Sequence, residues 1–328
     1  MRAVRLEMAL QAGLLVLPAP EKLAVYRPQI GDGLQALGTA RAVVLTGFRP
    51  AHDHFAGLGF SVAPASRYGA AVVCLPRAKA QARAMIAAAC AAVVPGGSVL
   101  VDGQKTDGIE ALLRDCRDAG LNPSEALAKA HGKIFALPAG PVPAGWAGER
   151  RTIAGGFVTS PGAFSADAPD AGSVLLAAAL PAALKGRVLD LGAGWGFLAR
   201  AVLQRPGVSE LHLVEAEAEA LDCARVNIAD PRAQFHWADA TSFRAPHLAQ
   251  AVVMNPPFHS GRGADPGLGL NFLKAAQRNL APDGVLYMVA NRHLPYATTL
   301  AGLFRQMEEL AGSSAFRVIK ASFPVRSR

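Results

Sequence analysis

Four consecutive residues follow an apolar run at 251–254: Asn255, Pro256, Pro257 and Phe258. The Asn255 side-chain oxygen and the Pro256 carbonyl can accept both hydrogens of an amine, and proline fixes the backbone without a competing N–H. Phe258 can stack on the face of a flat base. The lone pair of an exocyclic base amine is delocalised into its ring, so such a site would work mainly by orienting the nitrogen for group transfer. A rigid structural turn is the alternative interpretation.

The residues after this turn extend the candidate site. We interpret the glycine-rich segment 260–269 as a lid that substrate orders, with Arg262 contacting a phosphate. His259 is a candidate for assisting proton loss from the amine. A passive loop and an ordinary loop histidine are the alternatives for these two features. Transfer to an amine in this way requires neither a metal ion nor a covalent intermediate.

A glycine-rich turn lies between a predicted strand and a predicted helix. The apolar pair at 188–189 ends in Asp190, and the turn then contains Gly192, Ala193, Gly194 and Gly196. Glycine tolerates positive φ and lets backbone approach a ligand. A dinucleotide fingerprint would need a third glycine at position 197, where the chain has Phe197. The spacing instead resembles the first motif of class I methyltransferases, which implies S-adenosyl-L-methionine (SAM) as cofactor; an ordinary glycine-rich loop is the alternative.

Two further acids follow later strands. Glu215 ends the run 211–214, where a carboxylate can accept both hydroxyls of a ribose, as in other nucleotide-binding α/β folds. Asp239 and Ala240 follow a third strand, where an acid and a backbone N–H would recognise adenine. A helix-capping role is the alternative for each of the two acids. With Asp190, the glycine turn and Asn255, these residues form the predicted cofactor site.

Composition limits the class of protein. The chain has 328 residues, of which 51% are hydrophobic, so it is long enough for two domains with their own cores. Its net charge of +8 suits a polyanionic partner, although a genome that favours arginine would give a similar excess. We find no candidate membrane span, expect no signal peptide because Glu7 interrupts the first apolar run, and read the scattered cysteines as buried thiols.

The two halves of the chain resemble each other. Strand-like runs alternate with helical ones, which predicts a parallel, doubly wound sheet in each half. The run 71–76 corresponds to 251–256, and residues 94–101 correspond to 281–288, while residues 43–50 stand where Asp190 and the glycines would be. We therefore predict an α/β protein of two tandem Rossmann-like class I methyltransferase domains: a degenerate domain at 1–145 that binds substrate or is structural, and a catalytic domain at 146–328.

The whole pattern resembles the bacterial ribosomal small-subunit methyltransferase C family, the 16S rRNA guanine-N2 methyltransferases. The resemblance spans most of the chain and rests on five segments, at 161–165, 170–173, 255–259, 290–296 and 316–320, together with the degenerate first half. It implies SAM-dependent methylation of the N2 amine of one guanine in 16S rRNA, with the 30S subunit as partner. A monomeric, cytoplasmic enzyme without a metal or a membrane is expected.

Several alternatives remain at this point. The large-subunit guanine-N2 methyltransferases, which act on 23S rRNA, share the duplicated architecture. Adenine-N6 and glutamine-N5 methyltransferases also use Asn-Pro-Pro followed by an aromatic residue, but the degenerate first half and Phe258-His259 argue against both. A non-catalytic SAM-binding factor in RNA assembly is disfavoured by the intact set Asp190, Glu215 and Asn255, and a nicotinamide oxidoreductase is disfavoured by Phe197.

Overall fold

A computed structural model describes residues 2–16, 21–257, 259–260, 263–264, 266–294 and 296–326. Its chain divides into two compact units, Met1–Arg150 and Arg151–Arg328. In the described part of the chain, no helix is both long and apolar enough to cross a bilayer. All four cysteines are buried free thiols, as their apolar surroundings predict.

The first unit is a six-stranded sheet with helices. Its helices are α1 Arg2–Gln11, α2 Arg49–Gly57, α3 Lys79–Ala92 and α4 Ile109–Asp118. Its strands are β1 Leu23–Tyr26, β2 Ala42–Leu45, β3 Tyr68–Cys74, β4 Val93–Gln104, β5 Leu127–Lys129 and β6 Gly132–Pro138. The strand order is β2-β1-β3-β4-β6-β5, in which β1 to β4 are parallel and β6 is antiparallel to both of its neighbours.

Alternating side chains explain why helices cover both faces of this sheet. Ala71 and Val73 of β3 enter one hydrophobic cluster, and Ala70 and Val72 enter another on the opposite face. A strand that is apolar on both faces must be covered on both. The buried residues of α4 recur at helical spacing and are Ile109, Leu112, Leu113 and Cys116. The helix is followed by Gly120, whose φ is +71°.

The proline- and glycine-rich segment 137–148 belongs to the first unit. A short 3₁₀ turn, Ala144–Trp146, brings Trp146 into the core cluster beside α3, where the ring is 6% exposed. Arg83 of α3 lies over this ring, 5.3 Å from its centroid. This segment packs on the unit that precedes it, and the two compact units meet at Arg150 and Arg151.

The second unit contains one seven-stranded main sheet and two two-stranded sheets. Its strands are β7 Arg151–Ile153, β8 Phe157–Thr159, β9 Gly186–Leu191, β10 Val208–Glu215, β11 Ala233–Trp237, β12 Ala249–Met254, β13 His259–Ser260, β14 Gly263–Ala264, β15 Leu280–Asn291, β16 Phe304–Gly312 and β17 Phe316–Pro324. Its helices are α5 Ala171–Ala179, α6 Phe197–Leu203, α7 Ala218–Asn227, α8 Pro266–Asn279 and α9 Tyr296–Leu303. The main sheet has the order β11-β10-β9-β12-β15-β17-β16, in which β17 is antiparallel to both of its neighbours, and β7 and β8 form a separate hairpin, as do β13 and β14.

The sheet topology corrects one part of the internal alignment. β1 lies between β2 and β3 just as β9 lies between β10 and β12. Tyr26 pairs with Val73 where Asp190 pairs with Val253, so Tyr26 occupies the position of Asp190. The assignment of residues 43–50 to the glycine turn is therefore wrong, because β2 is the counterpart of β10. The four-residue β1 was missed because so short an apolar run gives little periodic signal.

Candidate functional site

The glycine turn joins β9 to α6 in a backbone conformation that few other residues adopt. Gly192, Gly194 and Gly196 have φ values of +78°, +55° and +91°. A residue with a Cβ atom would be strained at each of these positions. The N–H groups of Gly192 and Ala193 donate to the carbonyl of Val214, at 2.9 and 3.1 Å, which ties the turn to β10. The three alternate glycines of the sequence thus have a common structural cause.

Asp190 is the penultimate residue of β9, two positions before the first glycine of the turn, and is fully buried. Neither of its carboxylate oxygens has a hydrogen-bond partner in the part of the chain that the structure describes. Burial, with a smaller contribution from the nearby Glu215 carboxylate, raises the pKa of Asp190 from 3.8 to about 8. A buried acceptor without a partner costs free energy unless a ligand donates to it. Asp190 is therefore the strongest sign of a ligand site in this unit.

Glu215 ends the neighbouring strand β10. Its Oε2 accepts the N–H of Gly194 and its Oε1 accepts the N–H of Glu217, both at 2.8 Å. Burial raises the pKa of Glu215, while these backbone donors favour its charged form. Each carboxylate oxygen can accept a further hydrogen bond, so Glu215 can hold the glycine turn and a ligand hydroxyl together.

Asp239 and Ala240 follow β11 at the same edge of the sheet. Asp239 Oδ1 accepts the backbone N–H and the hydroxyl of Thr241, at 2.8 and 2.7 Å, so this oxygen has the local capping role that the sequence left open. Its Oδ2 has no partner among the described residues. Ala240 is 3% exposed. Asp239 can therefore cap its turn with one oxygen and accept from a ligand with the other.

Asn255 follows β12, the strand on the other side of β9. Its Nδ2 donates to Asp170 Oδ2 at 2.9 Å and to Ser173 Oγ at 2.8 Å. Asp170 is also the N-cap of α5, because the same Oδ2 accepts the Ser173 N–H at 2.8 Å. Pro256, at the predicted amine-binding position, follows immediately. The sequence pattern at 170–173 did not indicate this contact of Asp170 and Ser173 with Asn255.

Trp195 and Asn227, which the sequence pattern did not indicate as site residues, connect the glycine turn to the chain around β8. Trp195, inside the turn, donates its Nε1–H to the carbonyl of Phe164 at 2.9 Å. Asn227 of α7 donates to the carbonyls of Trp195 and Val158, and accepts the Val158 N–H. These contacts join β8, the segment after it and the glycine turn. No spacing rule links side chains so far apart in the chain.

Part of the predicted site lies outside the described residues. Phe258 and Arg262 are in this group, and for His259 the structure gives only a backbone place in β13. Within the described residues, Asp190, Glu215, Asp239 and Asn255 all follow or end strands at the carboxyl edge of one sheet. Ligands of open α/β sheets bind at this edge. The unpartnered Asp190 carboxyl and the glycine turn fit a ligand with both amine and hydroxyl donors, as SAM has.

Comparisons with known proteins show the family to which the chain is similar. The family described as Methyltransferase small domain matches residues 154–320. A ribosomal RNA small subunit methyltransferase C of Pseudomonas paraeruginosa is 32% identical over 272 residues, which are 80% of this chain and 81% of that protein. A ribosomal RNA large subunit methyltransferase G of Shewanella amazonensis is 36% identical over 165 residues, which are 48% of this chain and 43% of that protein.

A solved structure extends the similarity to most of the chain. It is the T. thermophilus 16S rRNA N2 methyltransferase RsmC in complex with AdoMet and guanosine. The match covers 94% of this chain and 89% of that chain, with a TM-score of 0.78 and 26% sequence identity.

Proposed function

The chain belongs to the methyltransferase small-domain family, together with the ribosomal RNA small subunit methyltransferase C proteins, and from this membership we propose that it methylates the N2 amine of a guanine in 16S rRNA. The observation that carries the proposal is the fixed amide of Asn255, one strand away from the unpartnered Asp190. Together they provide an acceptor for an amine beside a site for SAM.

The cofactor would be held by the residues around the glycine turn. SAM, when bound, supplies a methyl group on a cationic sulfonium that is a good leaving group. The buried Asp190 carboxyl would accept hydrogen bonds from its polar groups, and Glu215 would accept from its ribose hydroxyls. Asp239 and the Ala240 backbone would contact the adenine. A Cβ atom at Gly194 would meet nothing within 4 Å, so the backbone of the glycine turn leaves room there for the close approach of a ligand.

The target guanine would be oriented by Asn255 and Pro256. The Asn255 Oδ1 and the Pro256 carbonyl would each accept one hydrogen of the N2 amine, which directs the nitrogen lone pair away from the ring plane. Positioning of this kind can supply most of the rate when the leaving group is already good. We propose that Phe258 stacks on the base, that Arg262 contacts a phosphate, and that His259 or water takes the proton.

The first unit has the same strand order without the site residues. Tyr26 and Gly47 stand in register at the positions of Asp190 and Glu215, and Leu75 stands at that of Asn255. We propose that this unit binds substrate or supports the catalytic unit and does not bind SAM. A 30S substrate would place the enzyme in the cytoplasm, and two methyltransferase-like units in one chain support a monomer. The proposed chemistry uses no metal ion and no membrane.

The direct test is methyl transfer to ribosomal subunits. The protein is incubated with tritiated SAM and either 30S or 50S subunits from a methylation-deficient strain, and the labelled nucleoside is identified after digestion of the RNA. We expect N2-methylguanosine from 30S subunits. Asn255→Ala should abolish the label and weaken SAM binding far less than it lowers turnover, and the exposed Gln306→Ala serves as the matched control.

Methylation of 23S rRNA is the second candidate function. The large subunit methyltransferase G relative supports it, because its identity to this chain is higher, although over a shorter length. N2-methylguanosine from 50S subunits alone would replace the first proposal by this one. Label in neither particle, with SAM binding demonstrated, would overturn both and leave an adenine-N6 activity or a non-catalytic role in RNA assembly.

A further inference from the structure

The amide of Asn255 is held at its nitrogen by two acceptors from one helix end. Asp170 Oδ2 and Ser173 Oγ lie 2.9 and 2.8 Å from Nδ2. An asparagine amide has two N–H donors, so both donors of Asn255 are used by these contacts. The Oδ1 atom, which is the only acceptor of the side chain, is left to face the substrate.

The alternative orientation of this amide is excluded by charge. A rotation of the amide by 180° would place Oδ1 against Asp170 Oδ2, where two acceptors would meet without a hydrogen between them, and the Ser173 hydroxyl has only one hydrogen to donate. The same rotation would turn an N–H donor toward the substrate amine, which itself donates. Asp170 thus decides which end of the amide faces the substrate.

The helix that carries these acceptors is fixed closely to the sheet. Ser173 is 8% exposed, and Leu176 one turn later is fully buried in the core. A Cβ atom at Gly172 would lie 3.2 Å from the ring of Phe316 in β17, so glycine lets the first turn of α5 approach this strand. Asp170 Oδ2 is in turn held by the Ser173 N–H. The acceptors therefore have little freedom to follow a moving amide.

We propose that Asp170 and Ser173 are positioning residues that hold Asn255 as a hydrogen-bond acceptor and thereby adapt the site to substrates that present an amine. The expected effect on kcat rests on the proposed function. The fixed orientation of the Asn255 amide can be tested without measuring methyl transfer. Asp170 touches neither substrate nor cofactor in this scheme and acts through Asn255.

The capping role of Asp170 must be separated from its contact with Asn255. Asp170→Ser keeps an N-cap of similar strength, but its side chain is one heavy atom shorter and loses the contact with Nδ2. Asp170→Asn keeps the cap and, through its Oδ1, an acceptor at the same reach. The two variants should therefore unfold at the same temperature and differ in catalysis. Ser173→Ala removes the second acceptor alone.

We expect Asp170→Ser to lower kcat by about 10-fold to 100-fold through misorientation of the amine acceptor. KM for the RNA substrate and the Kd for SAM should stay within about twofold of the wild-type values. Asp170→Asn should stay within about threefold of wild-type kcat, and Ser173→Ala should fall between the two. A wild-type kcat for Asp170→Ser, or an equal loss for Asp170→Asn, would overturn the proposal.

A second readout does not depend on activity. In protein labelled with ¹⁵N-asparagine, the side-chain amide of Asn255 is assigned from its loss in Asn255→Ala. We expect its two protons to exchange slowly with water in the wild type and at least about 10-fold faster in Asp170→Ser. Equal exchange in both proteins would overturn the proposal. Slow exchange in the wild type with no methylation of any RNA would contradict the proposed function and leave the fixed amide supported.

Discussion

The two units each bury a carboxylate in the sheet, but they surround it differently. Asp102 of the first unit is fully buried and accepts Arg5 Nε and Nη2 at 2.5 and 3.0 Å. Arg2 adds an ion pair to Asp102 at 2.8 Å and another to Asp32 at 2.9 Å. Asp190 of the second unit is equally buried and has no partner for either oxygen among the described residues.

This difference separates a closed structural group from an open ligand site. α1 precedes β1 as α5 precedes β9, so each helix begins the sheet-forming part of its unit. In the first unit this helix brings Arg2 and Arg5 to a buried acid, whereas in the second it brings Asp170 and Ser173 to Asn255. Removing a partner from the first set should therefore lower stability, and changes of Asp170 or Ser173 in the second set should lower turnover.

The largest effect is expected at Asp102. Asp102→Ala leaves the guanidinium groups of Arg2 and Arg5 buried, so the free energy of unfolding of the first unit should fall by about 3–5 kcal/mol. Chemical denaturation measures this, with the exposed Asp118→Ala of the same unit as control. The Kd for SAM should not change at temperatures where the variant is folded. A loss below about 1 kcal/mol would contradict the structural role of this cluster.

Asp190→Asn should weaken SAM binding and leave the stability of the protein unchanged, the reverse of the effects expected for Asp102→Ala. The amide replaces one acceptor oxygen by a donor, so we expect the Kd for SAM to rise by about 100-fold to 1000-fold, equivalent to about 3–4 kcal/mol. The free energy of unfolding without SAM should stay the same or increase, because no buried charge has to form. Isothermal titration calorimetry and thermal unfolding of the same sample measure both quantities. A stability loss as large as that of Asp102→Ala would remove the distinction between the two acids.

The pH dependence of stability should differ between the wild type and Asp190→Asn. With its pKa raised from 3.8 to about 8, folded Asp190 keeps a proton that the unfolded chain releases in this window. Stability without SAM should therefore decrease as pH rises from about 4 to about 8, by about 5 kcal/mol from this group, and then level off. Asp190→Asn should flatten this slope, which denaturation at several pH values measures. An unchanged slope would contradict the raised pKa.

The smallest effect on stability is expected from alanine substitutions at Gly31, after β1, and at Gly196, after β9. Gly31 and Gly196 have nearly the same φ, +90° and +91°. Alanine at either position should cost about 1–2 kcal/mol of stability in its own unit, because L-residues are strained in this conformation. Only Gly196→Ala should also weaken SAM binding, since Gly196 begins α6 beside the proposed cofactor site. Weaker SAM binding in Gly31→Ala would indicate that the first unit takes part in the cofactor site.

The predictable part of the site consists of residues that are local in sequence. The order of Asp190 and the alternate glycines requires a strand, a turn at positive φ and a helix, and the structure has all three. The runs before Glu215 and Asn255 were recognisable as strands because they are short, mainly apolar and followed by a polar residue. By contrast, β16 was missed: of its nine residues, five from Arg305 to Glu309 are exposed, and its mixed pattern resembles a loop.

The sequence by itself determined the class of fold, the two units, and the chemical types at the site, because backbone conformation and burial leave periodic and local signatures. Only the tertiary structure decided that Tyr26 rather than a residue near Val43 takes the position of Asp190, since strand order does not follow chain order. Only the tertiary structure joined Asp170 to Asn255 across 85 positions of chain. A hydrogen bond between distant segments depends on how helices pack on the sheet, which no local pattern records.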